Sequence, residues 1–409
     1  MIRVLVNAYA CSPNMGSEPG MGWNWCVNLA KHCELFIITE EEFREKIEAV
    51  VPTLPQGKNM HFYYNPVAPE VRKMCWNQGD WRFYWHYRKW QQRTLEIAKK
   101  ICEEQKIDIL HQLNMIGYRE PGLLWKVKGP RFVWGPVGGM ETMPISYLKG
   151  AGGKTIVFNV IKNIINSLQY RYQQNVRSAA KRADAIIAAT RGCQKMLHDY
   201  YRRPVHLINE TGCDFLDVEK VEHNRYEKKS FDLLWVGKFD FRKQLGLAIR
   251  TISELKDLNV VLHIAGSGDT DKFQSLAHSL SIEDKIVFHG QVNHDEINTL
   301  MQKADLFFFT SIMDATSTVV MEAIQNQLPV VCFDTCGFGT VVDETVGVKI
   351  PLSNPNQSVN DFANALRTLY NDRELLAEKS QNCRERMKLF EWGYKAKTMV
   401  DIYNIILNS

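Results

Sequence analysis

The stretch Phe309-Thr310-Ser311-Ile312-Met313-Asp314-Ala315-Thr316-Ser317-Thr318-Val319-Val320-Met321-Glu322 decides how this chain is read. It follows a short apolar run at 304–309 and precedes another at 328–333, as expected of two strands buried in a parallel sheet and joined by one helix. Thr316 and Ser317 are residue types that cap helices. The free amides of a first turn starting near Thr318 and Val319 should therefore face the preceding loop and attract an anion, and a diphosphate has that charge. Glu322 then falls inside the helix, where a carboxylate can accept both hydrogen bonds of a vicinal diol such as a ribose. Asp314, eight positions earlier, can reach a second polar group. Paired acids at this spacing are also common on plain surfaces, so a second feature is needed.

That feature lies upstream and carries the opposite charge. Phe231-Asp232-Leu233-Leu234-Trp235-Val236-Gly237 reads as a strand ending in glycine, followed by Lys238, then Lys243, then a helical run at 245–256. Two ammonium groups and a helix N-terminus can stabilise the charge that develops on a departing diphosphate without a metal ion. The order glycine, lysine, lysine, acid-x7-acid resembles the donor-binding half of the family 4 glycosyltransferases (GT4), retaining enzymes with the two-domain GT-B fold.

The resemblance implies an α/β protein of two Rossmann-like, doubly wound domains facing a cleft, with a C-terminal helix crossing back to the N-terminal domain. It implies that Lys238, Lys243, Asp314 and His111 surround the reacting sugar. Gly16, Gly237, Val292, Thr316, Ser317, Thr318, Val319 and Glu322 would hold the donor, a nucleoside-diphosphate sugar. No metal or other cofactor is expected. The family usually has arginine where this chain has Lys238 and glutamate where it has Asp314. Lysine keeps the charge but loses the bidentate fork, and aspartate is one methylene shorter.

Composition agrees with this reading. A chain of 409 residues exceeds the usual ceiling for one core, and 45% hydrophobic with 23% charged residues is ordinary for a globular protein of two domains. A formal charge of +4 without a recognition motif argues against a nucleic-acid partner. The ten cysteines are scattered without a C-x-x-C pair, as reduced cytoplasmic thiols would be. Met1-Ile2-Arg3-Val4 enters a strand at once and no 18-residue apolar stretch follows. The expectation is a cytoplasmic protein, peripheral at most at the inner face of the membrane.

Strands and helices alternate from end to end. The first half offers strands at 3–8, 34–39, 107–110, 131–134 and 185–189, and the second at 231–236, 259–265, 285–289, 304–309, 328–333 and 346–350. Turn residues at 208–214 and the charged run 219–229 mark a hinge. This places residues 1–212 in an N-terminal acceptor-binding domain that also takes the helix 391–409, and 213–390 in the nucleotide-sugar domain.

The acceptor side is assigned to loops of the first half. Ser12 to Trp23 holds Gly16, Gly20 and Gly22 ahead of a helix expected at 23–31, and its spacing is neither a Walker A motif nor a dinucleotide fingerprint. It is either a ligand loop around Gly16 and Glu18 or a plain turn. His111 follows the strand at 107–110 and is read as a sugar contact or a hydrogen-bonded structural histidine. Arg119, Gly138 and Gly139 sit in loops of ligand-binding composition. The aromatic and basic stretch 76–90 suits a sugar platform, a bilayer headgroup layer or simple helix packing, while 154–181 is a basic amphipathic helix suited to an anionic surface bearing a lipid-linked acceptor. The reading is transfer of a sugar from a nucleoside-diphosphate sugar to an acceptor hydroxyl, on a sugar or a lipid-linked saccharide, in polysaccharide or glycolipid biosynthesis. A sugar-nucleotide 2-epimerase, a dehydrogenase and a non-catalytic sugar-nucleotide-binding subunit are the rivals.

Overall fold

The computed structural model of the chain describes residues 1–76, 80–149, 151–214 and 223–409. Asn77, Gln78 and Gly79 of the aromatic stretch, and residues 219–222 of the charged run at the expected hinge, lie outside them. The chain divides into a first unit of Met1–Glu141, Ile165–Gly212 and Trp392–Ser409 and a second of Thr142–Ile164 and Cys213–Glu391.

The first unit is built on seven parallel strands: β1 (Ile2–Ala8), β2 (Cys33–Glu40), β3 (Met60–Asn65), β4 (Ile109–Asn114), β5 (Arg131–Val137), β6 (Ala185–Ala188) and β7 (Val205–Leu207). Their order is β3-β2-β1-β4-β5-β6-β7. Val4, Leu5 and Val6 of the central β1 are fully buried, because a parallel strand covered on both faces reads as a continuous apolar run. The winding reverses between β1 and β4, and in such sheets ligands sit beyond the carboxyl ends of the strands at that reversal. β4 departs from expectation: it starts at Ile109 and continues through His111 to Asn114, with His111 in register with Val133 and Gln112 with Trp134. Two strands at the sheet margins, β3 and β7, were not expected. Half-buried margins lack the apolar run that marks the centre.

The N-terminal helix runs Ser17–Leu29, so it begins at Ser17 rather than at Trp23, and Gly20 and Gly22 lie inside it. A Cβ on Gly20 would stand 1.8 Å from Met15 O, and one on Gly22 2.3 Å from Ala10 O. Those glycines let the helix press against its own leading loop. The C-terminal helix Trp392–Asn408 belongs to this unit, with the Trp392 ring edge-on to Trp25 at 5.8 Å. Its buried Lys395 donates to Asn209 O (2.6 Å) and to Thr211 O, which supplies the hydrogen bonds that a buried ammonium requires.

The second unit repeats the winding with six strands: β8 (Phe231–Val236), β9 (Val260–Ala265), β10 (Ile286–Gly290), β11 (Leu306–Phe309), β12 (Val330–Phe333) and β13 (Gly347–Ile350), ordered β10-β9-β8-β11-β12-β13. All six were legible as apolar runs. Phe307, Phe308 and Phe309 are fully buried, each contributing about 2–3 kcal/mol in transfer terms. Here the reversal falls between β8 and β11, the two strands that the motif residues follow. The segment Thr142–Ile164 joins this unit, where Tyr147 hydrogen-bonds Ser358 Oγ (2.6 Å) and packs edge-on against Phe333.

Candidate functional site

Beyond Val236 the Gly237 amide donates to Ala265 O (3.0 Å), which closes the end of β8. The chain then enters a short 3-10 turn, Phe241–Lys243, capped by Asp240. On the other side of the reversal, Thr310 accepts a hydrogen bond from Trp235 Nε1 (3.0 Å) and donates to Lys243 O (2.8 Å), while the Ile312 amide donates to Arg242 O (2.9 Å). The loops after β8 and β11 are thus joined at several points. Their functional groups meet in one ion pair, Lys243 Nζ to Asp314 Oδ2 at 2.6 Å, with the ammonium 4.7 Å from the Phe309 ring centroid. The side chains are 14% and 26% exposed, so the pair faces the outside without being freely solvated.

Asp314 is held from behind, its amide donating to Cys336 Sγ (3.2 Å) and its Oδ1 accepting from the Ala315 amide (3.0 Å). A Cβ on Gly237 would come within 3.3 Å of the Trp235 ring, a tight approach, and within ordinary contact of Lys243 Cδ at 3.7 Å. Lys238 is exposed and makes no ion pair among the described residues.

Ser317 stands at the N-cap of the helix Thr318–Gln325 but gives it no side-chain hydrogen bond. Thr316 packs against Gly337, where a Cβ would lie 1.8 Å from Thr316 Oγ1. The side-chain cap expected of Ser317 is therefore not formed. The amides of Thr318 and Val319 remain in a first turn, for which a helix has no carbonyl of its own.

Glu322 lies one turn further on, its side chain 27% exposed and 4.0 Å from His294 Nε2. Burial raises the Glu322 pKa above the usual carboxylate range, opposed by the charge of His294 and a hydrogen bond from Thr318. A partly desolvated carboxylate with few partners gains most from hydroxyl donors. Val292 is half-buried in the turn just before the helix that His294 opens. Reading the sequence missed Cys336, Gly337 and His294. The glycine-punctuated T-C-G-F-G after the run 328–333 was the available signal for the first two.

At the reversal of the first unit, Gly16 is the exposed N-cap of Ser17–Leu29, and Glu18 Oε1 accepts the Ile116 amide (2.8 Å). Desolvation raises the Glu18 pKa, that hydrogen bond lowers it, and Glu210 raises it further. Ile116 O accepts the Gly138 amide (2.8 Å) and Gly138 O the Tyr118 amide (3.2 Å), so the loops after β1, β4 and β5 are laced together.

Three expected site residues prove to be otherwise engaged. His111 is fully buried, with Nε2 against Gly135 O (2.7 Å) and Nδ1 against the Tyr403 hydroxyl (2.5 Å). Burial lowers its pKa to about 4, partly offset by the Gly135 bond, so it is a neutral structural histidine and not a sugar contact. Gly138 has neither backbone group to spare. Arg119 donates to Gln169 Oε1 (2.7 Å) and to Asn166 Oδ1, and its guanidinium lies over the Tyr118 ring. Gly139 is exposed with φ +76°, a left-handed turn that favours glycine. Among the described residues no group of three or more His, Cys, Asp or Glu side chains is placed to hold a metal ion.

Residues 218–388 match the family model described as Glycosyl transferases group 1. An uncharacterized glycosyltransferase of Methanocaldococcus jannaschii is 27% identical over 178 residues, covering 43% of this chain and 45% of that protein. The N-acetylgalactosamine-N,N'-diacetylbacillosaminyl-diphospho-undecaprenol 4-alpha-N-acetylgalactosaminyltransferase of Campylobacter jejuni is 26% identical over 245 residues, 56% of this chain and 62% of that protein. The chain thus spans about half the length of these relatives. A solved glycosyltransferase structure from Rickettsia africae matches over 100% of this chain and 99% of its own, with a TM-score of 0.62 at 14% identity. Likeness at that identity is one of fold, here GT-B with its two Rossmann-like units.

Proposed function

We propose, starting from the match of residues 218–388 to the family model described as Glycosyl transferases group 1, that the chain is a retaining glycosyltransferase that moves a sugar from a nucleoside-diphosphate sugar to an acceptor hydroxyl. The acceptor is a sugar or a lipid-linked saccharide of polysaccharide or glycolipid biosynthesis, and the enzyme works from the inner face of the membrane. One observation carries the reading: the half-buried Lys243–Asp314 pair at the β8/β11 reversal, with the partly desolvated carboxylate of Glu322 eight positions after Asp314.

Lys243, Lys238 and the amides of Thr318 and Val319 hold the diphosphate, and Glu322 accepts the ribose hydroxyls. When the diphosphate takes over Lys243, Asp314 is released to accept a hydroxyl of the transferred sugar. The sugar–phosphate bond breaks as the acceptor oxygen bonds the same face of the anomeric carbon, and the acceptor proton passes to the leaving phosphate oxygen. The protein supplies position and charge and no covalent nucleophile. In the first unit, Gly16, assigned to the donor, and Gly139, assigned to the acceptor, are both exposed.

No metal is required in this scheme. A thermal-shift panel of nucleoside diphosphates and sugar nucleotides, with and without chelator, tests it, because a ligand stabilises the fold it binds. Stabilisation by one nucleoside diphosphate, unchanged by chelator, is expected. No response to any of the panel overturns the assignment, and a response abolished by chelator overturns its metal-free form.

A further inference from the structure

The helix Gly153–Tyr172 leaves its apolar side uncovered. Phe158, Ile161, Ile165, Leu168 and Tyr172 are 64%, 50%, 46%, 50% and 69% exposed, and their spacing of three and four residues places them on one face. The helix Arg82–Glu104 shows a similar split. Phe83, Tyr87 and Trp90 are buried in the core of the first unit, whereas Trp85 and the preceding Trp81 are 60% and 76% exposed. Arg88 of that helix lines one groove together with Ile165, Leu168 and Tyr172. Exposed apolar surface of this extent marks an interaction site.

The charge around it identifies the partner. From Lys149 to Arg182 the chain carries Lys149, Lys154, Lys162, Arg171, Arg177, Lys181 and Arg182 and not one Asp or Glu. A two-fold contact between copies would lay this patch on itself and set like charges together. An anionic surface neutralises them instead, and tryptophans beside cations suit the headgroup level of a bilayer. Among the described residues no helix is long and apolar enough to cross a membrane, so the geometry is that of a helix lying in the interface.

We propose that the exposed face of the helix Gly153–Tyr172 forms a docking surface for an anionic lipid bilayer. The helix enters by its apolar stripe, and its cations meet the lipid phosphates. This gives a surface to the peripheral placement proposed above, on which it rests, but it does not depend on the sugar chemistry.

The test is sedimentation of the full chain with vesicles of phosphatidylglycerol and phosphatidylcholine, and with phosphatidylcholine alone, at low and raised salt. Salt-sensitive binding to the anionic vesicles is expected. It should fall at least tenfold in Ile161→Glu/Leu168→Glu, and also in Lys154→Glu/Arg171→Glu, which leaves the apolar stripe intact. Circular dichroism melting and stabilisation by nucleoside diphosphate should be unchanged in both variants. Equal failure with both vesicle types overturns the proposal, and so does a concentration-dependent dimer that Ile161→Glu/Leu168→Glu dissociates. Vesicle binding by a protein that ignores every nucleoside diphosphate would defeat the transferase reading and leave this surface standing.

Discussion

The two sheets wind in the same order and reverse at equivalent places, yet the polar groups at the two reversals are used in opposite ways. Around β1 and β4, Asn114 exchanges hydrogen bonds with Ala10, His111 is closed between Gly135 and Tyr403, and Glu18 and Gly138 tie neighbouring loops through Ile116. Around β8 and β11, Lys238 is exposed, Lys243 and Asp314 form a part-exposed ion pair, and Glu322 is partly desolvated, which raises its pKa. A reversal point is thus a place where a site can be built. Whether it becomes one depends on how many of its charges the fold consumes.

Breaking the second reversal should give the largest effect. Lys243→Ala is expected to lower turnover about 100- to 1000-fold, the scale for losing one group aimed at developing charge, while binding of the bare nucleoside changes little. Equal losses in both would place Lys243 in ground-state binding alone.

His111 offers the converse break at the first reversal. Its folded pKa of about 4 lies below the ordinary 6.5, so the unfolded chain takes up a proton between those values and the folded chain does not. Its contribution is full above pH 6.5 and is lost as pH falls to 4, by on the order of 3 kcal/mol. Denaturant melts should therefore show the stability gap between the parent and His111→Gln narrowing over that window. Affinity for nucleoside diphosphate, compared at pH 7.5, should stay unchanged.

Smaller changes sharpen the contrast within the second reversal. Glu322→Gln should weaken a nucleoside diphosphate about tenfold, the value of one charge-assisted hydrogen bond, and leave inorganic pyrophosphate unaffected, as isothermal titration can show. Asp314→Asn removes the anion that competes for Lys243. Bare nucleoside diphosphate should then bind about two- to fivefold tighter even as transfer slows, the modest gain fitting a part-exposed pair. Weaker binding would instead make Asp314 a direct ligand of the nucleotide.

The second unit was the more legible in the sequence, because its strands are unbroken apolar runs and its charged residues sit at their ends. The first unit misled where tertiary packing overrode local signals. Gly20 and Gly22 read as a loop by propensity, but their lack of side chains is what lets a helix start at Ser17. His-Gln-Leu-Asn at 111–114 reads as a strand end because polar residues seldom fill a buried parallel strand. Here each polar one finds a partner, and that of His111 is a tyrosine 292 positions away, which no local pattern reveals. The turn at Cys336 and Gly337, which fixes Asp314 and Thr316, was hidden for the same reason.

Tyr403 and Lys395 make the last helix an organ of the first half of the chain: one closes the cage around His111, the other grips the carbonyls of Asn209 and Thr211. On the ribosome, where domains otherwise tend to fold in order of emergence, the first unit must wait with Trp25 uncovered until residues 392–409 have been made. Nascent chains arrested before Trp392 should accordingly engage chaperones through their earliest residues.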